Sequence, residues 1–216
     1  MSFSTIDILF QLLAFLFAIS FHESAHAWSA NRLGDPTARF LGRISLNPAR
    51  HIDPIGTILM PLVAAITHLP VIGWAKPTPV NVSQLRNPLR DNVLVAAAGP
   101  VSNFLVAAGA VVLMRFLELV GGATSVAGRD SILDPLMLLL YAVMTINVVL
   151  AVFNLIPIPP LDGSHILEGL LPAGLRELYG SVKEYGFVLL LALIWFTDLS
   201  RLFAPFLNFF NSLIGF

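Results

Sequence analysis

Two runs of this chain contain no charged residue and are each long enough to cross a bilayer. Asn92–Met114 and Pro135–Ile156 carry no Asp, Glu, Lys or Arg, and about 20 such residues as a helix match roughly 30 Å of hydrocarbon. In water a chain must cover its core with polar side chains. Here only 12% of the 216 residues are charged and 56% are hydrophobic, about half the charge of an ordinary soluble domain, where roughly 25% is charged. The expected fold is therefore an all-α polytopic membrane protein, with the lipid bilayer as its first partner.

A third apolar run opens the chain. Ile6 to Phe21 is interrupted only by Asp7, Gln11 and Ser20, and the helical pattern continues to about Leu33 before Gly34-Asp35-Pro36 stops it. No basic residue precedes this run and no small-x-small site closes it. It is read as part of the mature chain rather than as a signal peptide. The core is thus three transmembrane helices at about 6–33, 92–114 and 135–156. Residues 54–74 are apolar but broken by Pro54, Gly56, Pro61, Pro70 and Gly73, which suggests a re-entrant or surface segment. Short strands are expected within 37–50 and 75–84, and one or two helices within 185–216. No repeat or appended module is legible, so residues 1–216 read as a single membrane-embedded domain. The net charge of −1 argues against nucleic acid as a partner. The absence of cysteine removes thiolate metal sites and a cysteine nucleophile.

At the end of the first helix stands His22-Glu23-Ser24-Ala25-His26. Positions i and i+4 share a helix face, so both imidazoles can reach one tetrahedral zinc ion. Glu23, beside the metal but not bound to it, fits a general base that takes a proton from water and returns it to a leaving amine. Ionisable groups within an apolar helix are costly and mark function. A catalytic zinc site needs a third protein ligand. No Glu occurs between Glu23 and Glu118, which leaves Asp162, His165, His51 and His68. Asp162 is the best of them, because it follows a charge-free span in the rigid Pro159-Pro160-Leu161-Asp162-Gly163 turn. His51 lies in an Arg-rich loop and reads as solvated, and His68 as interfacial or packed. Ala98-Gly99-Pro100 breaks the second span, and Asn103 beyond it offers an amide inside the membrane. That amide suits a substrate backbone or developing oxyanion, or equally a helix-packing contact. Asn147 and Asn154 invite the same two readings, with Asn154 closer to Asp162.

Together, FHESAHA, AAAGPVSNF and FNLIPIPPLDGSHIL, in that order, resemble the site-2 protease family of intramembrane zinc metalloproteases. GWAKPTPVN (73–81) is similar to a stretch that some bacterial members carry. The resemblance covers residues 15–170 and is to a minimal form, with no PDZ or CBS domain in view. It implies one Zn2+ held by His22, His26 and Asp162, Glu23 as the catalytic base, and Asn103 in the family's Gly-Pro-x-x-Asn position. It also implies cleavage of transmembrane protein substrates in or near the bilayer. A membrane metal carrier and an inactive member acting as a binding module are the alternatives. The carrier has no need of a Glu between its histidines, and the intact ligand set argues against the inactive form. Basic residues favour the cytoplasm. Arg32, Arg39, Arg43, Arg50, Lys76, Arg86, Arg90, Arg176 and Lys183 fall on the side of the metal motif, and Arg115 and Arg129 on the other. The expectation is a multi-pass protein of a bacterial or archaeal cell membrane, its site toward the cytoplasm.

Overall fold

The computed structural model describes residues 5–60, 63, 75–122 and 133–215. Helix α1 (Thr5–Leu33) contains the first apolar run and the histidine motif without a break. It ends because Gly34 takes φ +119, a conformation costly for any residue with a Cβ. A short helix α2 (Thr37–Phe40) and a 3-10 turn at Pro48–Arg50 follow. Pro54–Leu59 forms one wide helical turn, capped by Asp53, whose carboxylate accepts from the amides of Ile55 and Gly56. The remainder of the expected re-entrant segment, with His68, lies outside the described residues, apart from Met60 and Val63.

Helix α3 (Pro88–Gly122) runs well beyond the charge-free stretch at both ends. Pro88 fills the first helical position, where its missing N–H costs nothing. The buried Asp91 accepts from the backbone N–H of Asn87, so polar residues that read as loop become a capped first turn. Helix α4 (Leu133–Asn154) is the third span. Then come α5 (Asp162–Leu170), α6 (Ala173–Lys183), α7 (Gly186–Phe196) and α8 (Ser200–Ile214). α1, α3 and α4 are each long and apolar enough to cross a membrane, and α6 with α7, bent by 74°, add at most one further span.

The expected strands are absent among the described residues. Around 37–50 the backbone is satisfied by side chains instead of a ladder. Ser24 Oγ and His51 Nε2 both donate to the carbonyl of Ser45, and Arg43 donates to that of Arg50. In 75–84, Pro77 and Pro79 have no N–H to pair. Lys76 N–H donates to His51 O, Thr78 is occupied with Glu23, and Val82–Gln84 curls into a 3-10 turn.

α1, α3 and α4 pack on one another, and α3 also holds α5. The buried faces are built from small residues: Ala14, Ala18, Ala27 and Ala30 on α1, Ala107 and Ala110 on α3, and Ala151 on α4. In lipid, where hydrophobicity does not drive helices together, such residues allow close backbone approach and dispersion contact. The main apolar core joins Met114, Met144, Val148, Phe210 and Ile214 of α3, α4 and α8. It includes no residue of α1 or α5 and ties α3, which meets the histidines on its other side, to α4 and α8.

Candidate metal centre

The histidine motif falls on the α1 face that meets α3. His22 and His26 are 6% and 8% exposed, and their rings stand edge to face, 4.7 Å between centroids. Each ring is oriented by its Nδ1. His22 Nδ1 lies 2.6 Å from the Asn103 side-chain oxygen, and His26 Nδ1 lies 2.7 Å from the carbonyl of Val95. Both partners are acceptors, so each Nδ1 donates, and in the neutral ring each Nε2 presents a lone pair to a metal ion.

Those two Nε2 atoms are 3.1 Å apart. Asp162, at the start of α5, brings its carboxylate to them, with Oδ2 3.1 Å from His22 Nε2 and Oδ1 3.4 Å from His26 Nε2. Oδ2 is buried and has no hydrogen-bond partner. Two imidazole nitrogens and a carboxylate thus converge on one point, a donor set that a bound cation would hold together. One donor atom from each of the three residues lies within 4.8 Å of the others. Two imidazole nitrogens and a carboxylate oxygen, held by hydrogen-bonded outer partners, fit zinc.

The approach of α1 to α3 depends on Gly99. A Cβ there would lie 2.4 Å from His26 Nε2 and 2.6 Å from His22 Cε1. Beside it, Pro100 leaves one carbonyl of the preceding turn without its helical donor. On the α5 side, a Cβ on Gly163 would lie 2.3 Å from the Leu155 carbonyl, so the Asp-Gly pair lets α5 start directly under the end of α4.

A cleft of about 600 Å3 opens over these groups, lined by Glu23, His26, Asn154, Asp162, His165 and the 75–82 segment among others. Glu23 faces into it. Its Oε2 accepts the backbone N–H of Thr78 at 2.8 Å, and Thr78 Oγ1 donates to the Glu23 carbonyl at 3.1 Å. Asn103 is fully buried, and its amide donates to Ala18 O and to Asn147 Oδ1 while its oxygen faces His22. Its polar atoms are therefore committed to helix contacts and to the His22 ring. Asn147 passes the chain on by donating to Val143 O. Asn154 lines the cleft, with one contact from its amide to Leu150 O. Of the other histidines, His165 is exposed at the cleft. His51, expected to be solvated, is 1% exposed and bonded to Ser45 O, because the Arg-rich loop folds over it.

Sequence reasoning passed over Thr78. Its position between Pro77 and Pro79, which hold the chain extended, was the available signal. It left Asn147 open between a substrate contact and a helix contact, and its side chain makes the helix contacts, to Asn103 and Val143.

The family model for peptidase family M50 matches residues 10–197. Among curated proteins, "Putative zinc metalloprotease YwhC" of Bacillus subtilis is 39% identical over 184 residues, covering 85% of this chain and 79% of the relative. Two proteins with the same description under the name Rip2 also match. That of Mycolicibacterium smegmatis is 26% identical over 93% of this chain and 72% of its own. That of Mycobacterium tuberculosis is 27% identical over 82% of this chain and 63% of its own. No solved structure gives a significant match.

Proposed function

The chain belongs to peptidase family M50, the site-2 protease family, and from that premise we propose that it is a zinc metalloendopeptidase cutting membrane-anchored proteins within or near the bilayer. The observation that carries this reading is the convergence of His22, His26 and Asp162, with a buried, unpartnered carboxylate oxygen, beneath a cleft that Glu23 enters. We take residues 1–216 as one catalytic domain embedded in the membrane.

In this reading His22 and His26 bind through Nε2, and Asp162 through a carboxylate oxygen. When bound there, zinc supplies the Lewis acidity that makes water nucleophilic near neutral pH and polarises a peptide carbonyl. The chain's own residues do the rest. Asn103 and Val95 hold the two rings in the tautomer and orientation that present Nε2. The Thr78 amide fixes one oxygen of Glu23, leaving the other to take a proton from water and return it to the leaving amine. Asn154, at the cleft wall, contacts the substrate backbone or the oxygen that gains charge. The largely apolar cleft suits a membrane segment, which must be locally unwound there, since a helix hides its carbonyls in its own hydrogen bonds. The site faces the cytoplasm, on the balance of basic residues given above.

The test is cleavage of a model transmembrane substrate by purified protein in detergent or liposomes. Wild type cuts it, and Glu23→Gln retains zinc and does not. Cleavage by Glu23→Gln at the wild-type rate removes Glu23 as the base.

A further inference from the structure

A second groove, of about 340 Å3, lies on α1 away from the metal cluster. Its floor is Phe21, Ala25 and Trp28, on successive turns of one helix face. Ile44 and Leu46 form one wall, and Ser102 of α3 contributes to the other side. The loop wall is anchored, not loose, because the Ser45 carbonyl takes hydrogen bonds from Ser24 and His51. The next turn of the same face carries Arg32, whose guanidinium carbon sits 5.6 Å from the Trp28 ring centroid. The groove therefore runs along the helix, and a cation stands beside the ring at its Trp28 end.

The surroundings extend both characters. Trp28, Phe40, Leu41 and Leu46 are exposed, and so are Arg32, Arg39 and Arg50. Among the described residues none of these three arginines has a carboxylate within ion-pair distance. Asp35, the acid nearest in sequence to Arg32 and Arg39, is fully buried and accepts from Thr37 and Asn81 instead, and Asp53, nearest to Arg50, accepts from the amides of Ile55 and Gly56. An apolar channel with Arg32 beside its Trp28 end, and with Arg39 exposed on the short helix α2 that follows, matches one chemistry: an acyl chain joined to a phosphate. Among the described residues no acid lines the groove to receive the amine of a zwitterionic headgroup.

We propose that this groove binds one anionic phospholipid, its acyl chain along Phe21, Ala25 and Trp28 and its phosphate at Arg32 and Arg39. The site is separate from the metal centre and does not depend on the protease reading. It would hold α1 and the 44–46 loop in register at the membrane surface.

The experiment is native mass spectrometry of the full chain in a non-ionic detergent, titrated in parallel with dioleoyl phosphatidylglycerol and dioleoyl phosphatidylcholine. Wild type should retain one phosphatidylglycerol per chain in preference to phosphatidylcholine. Arg32→Gln/Arg39→Gln should bind phosphatidylglycerol roughly 30-fold more weakly, at about a factor of five per arginine near a phosphate. Arg50 is left in place because it bonds the Gly42 carbonyl. Trp28→Ala should weaken binding by removing the groove floor. Arg201→Gln, on a remote exposed side chain paired with Asp198, should bind as wild type does. Both arginines of the double variant are exposed, and unchanged thermal unfolding in lipid-free detergent reports that the fold is kept. Equal retention of the two lipids by wild type, or undiminished phosphatidylglycerol binding by both Arg32→Gln/Arg39→Gln and Trp28→Ala, overturns the proposal.

Discussion

Gly99 offers the sharpest perturbation of the metal centre that alters no candidate ligand. In Gly99→Ala the new methyl would sit 2.4 Å from His26 Nε2 and 2.6 Å from Cε1 of both histidines. Ordinary contact begins at 3.4 Å, so α1 and α3 must part, or the rings must turn, by about 1 Å (3.4 minus 2.4). Either movement strains the Nδ1 contacts to Asn103 and Val95, at 2.6 Å and 2.7 Å. Disturbing such outer partners of metal histidines costs about 10–100-fold in metal affinity, and overpacking of this kind costs about 1–3 kcal/mol of stability. Gly109→Ala is the matched control. It lies on the same helix with nothing within 4 Å of its Cβ, and there Ala should be neutral or stabilising by roughly 0.5–1 kcal/mol. The assay is zinc affinity by chelator competition, with thermal unfolding alongside. Gly99→Ala should lose zinc affinity and Gly109→Ala should not. Equal affinities in the two variants would refute the close-approach argument.

Asn103→Ala should lower zinc affinity by about 10–100-fold while leaving the chain folded, and Asn147→Ala should do so more weakly because it acts one bond further out. Chelator competition ranks the two, and a larger loss in Asn147→Ala would break the proposed order. Asp35 sits outside the spans with its carboxylate fully buried. Burial alone would raise its pKa, but hydrogen bonds from Thr37 and Asn81 outweigh this and hold it below the usual carboxylate range. Its stabilisation is therefore complete above the ordinary Asp pKa and fades as pH falls through the lowered value. Asp35→Asn should cost about 1–3 kcal/mol at neutral pH, and its unfolding midpoint should change less between pH 7 and pH 3 than that of wild type. Parallel curves would show that Asp35 does not carry this dependence. Single cysteines at positions 45 and 80, in a chain with no other cysteine, should both label with an impermeant thiol reagent from the cytoplasmic face. Labelling of both from the outer face contradicts the orientation, and labelling from opposite faces contradicts the re-entrant reading of residues 54–74 and the shared-zinc geometry behind it.

The spans were legible because lipid demands uncharged helices of a set length, and α1, α3 and α4 lie where the apolar runs predict. Their ends were less so. Pro88 to Asp91 looks like loop until Asp91 is seen to cap the turn, and the α3 extension to Gly122 passes through Arg115 and Glu118, which pair with each other. The strands failed for a physical reason. Alternation signals a half-buried extended chain, but Pro77 and Pro79 cannot enter a ladder, and the 37–50 loop satisfies its carbonyls with side chains. In the site, i and i+4 spacing foretold the shared face of His22 and His26, and the rigid turn pointed to Asp162. The partners that orient them were not readable. Asn103 was noted for its amide, yet only packing decides that its oxygen meets His22 and its hydrogens meet Ala18 and Asn147. Thr78 reaches Glu23 across 55 residues of sequence; its place between two prolines signals an extended backbone but not the partner it meets.

The central claim is that His22, His26 and Asp162 hold one zinc ion, and metal content of the purified protein measures it most directly. Zinc should be present at one per chain in wild type and in Glu23→Gln. It should be largely lost in His22→Ala, His26→Ala and Asp162→Ala, each checked for a folded, monodisperse product. Full zinc occupancy in folded Asp162→Ala, or loss of zinc in folded Glu23→Gln, would contradict the assignment.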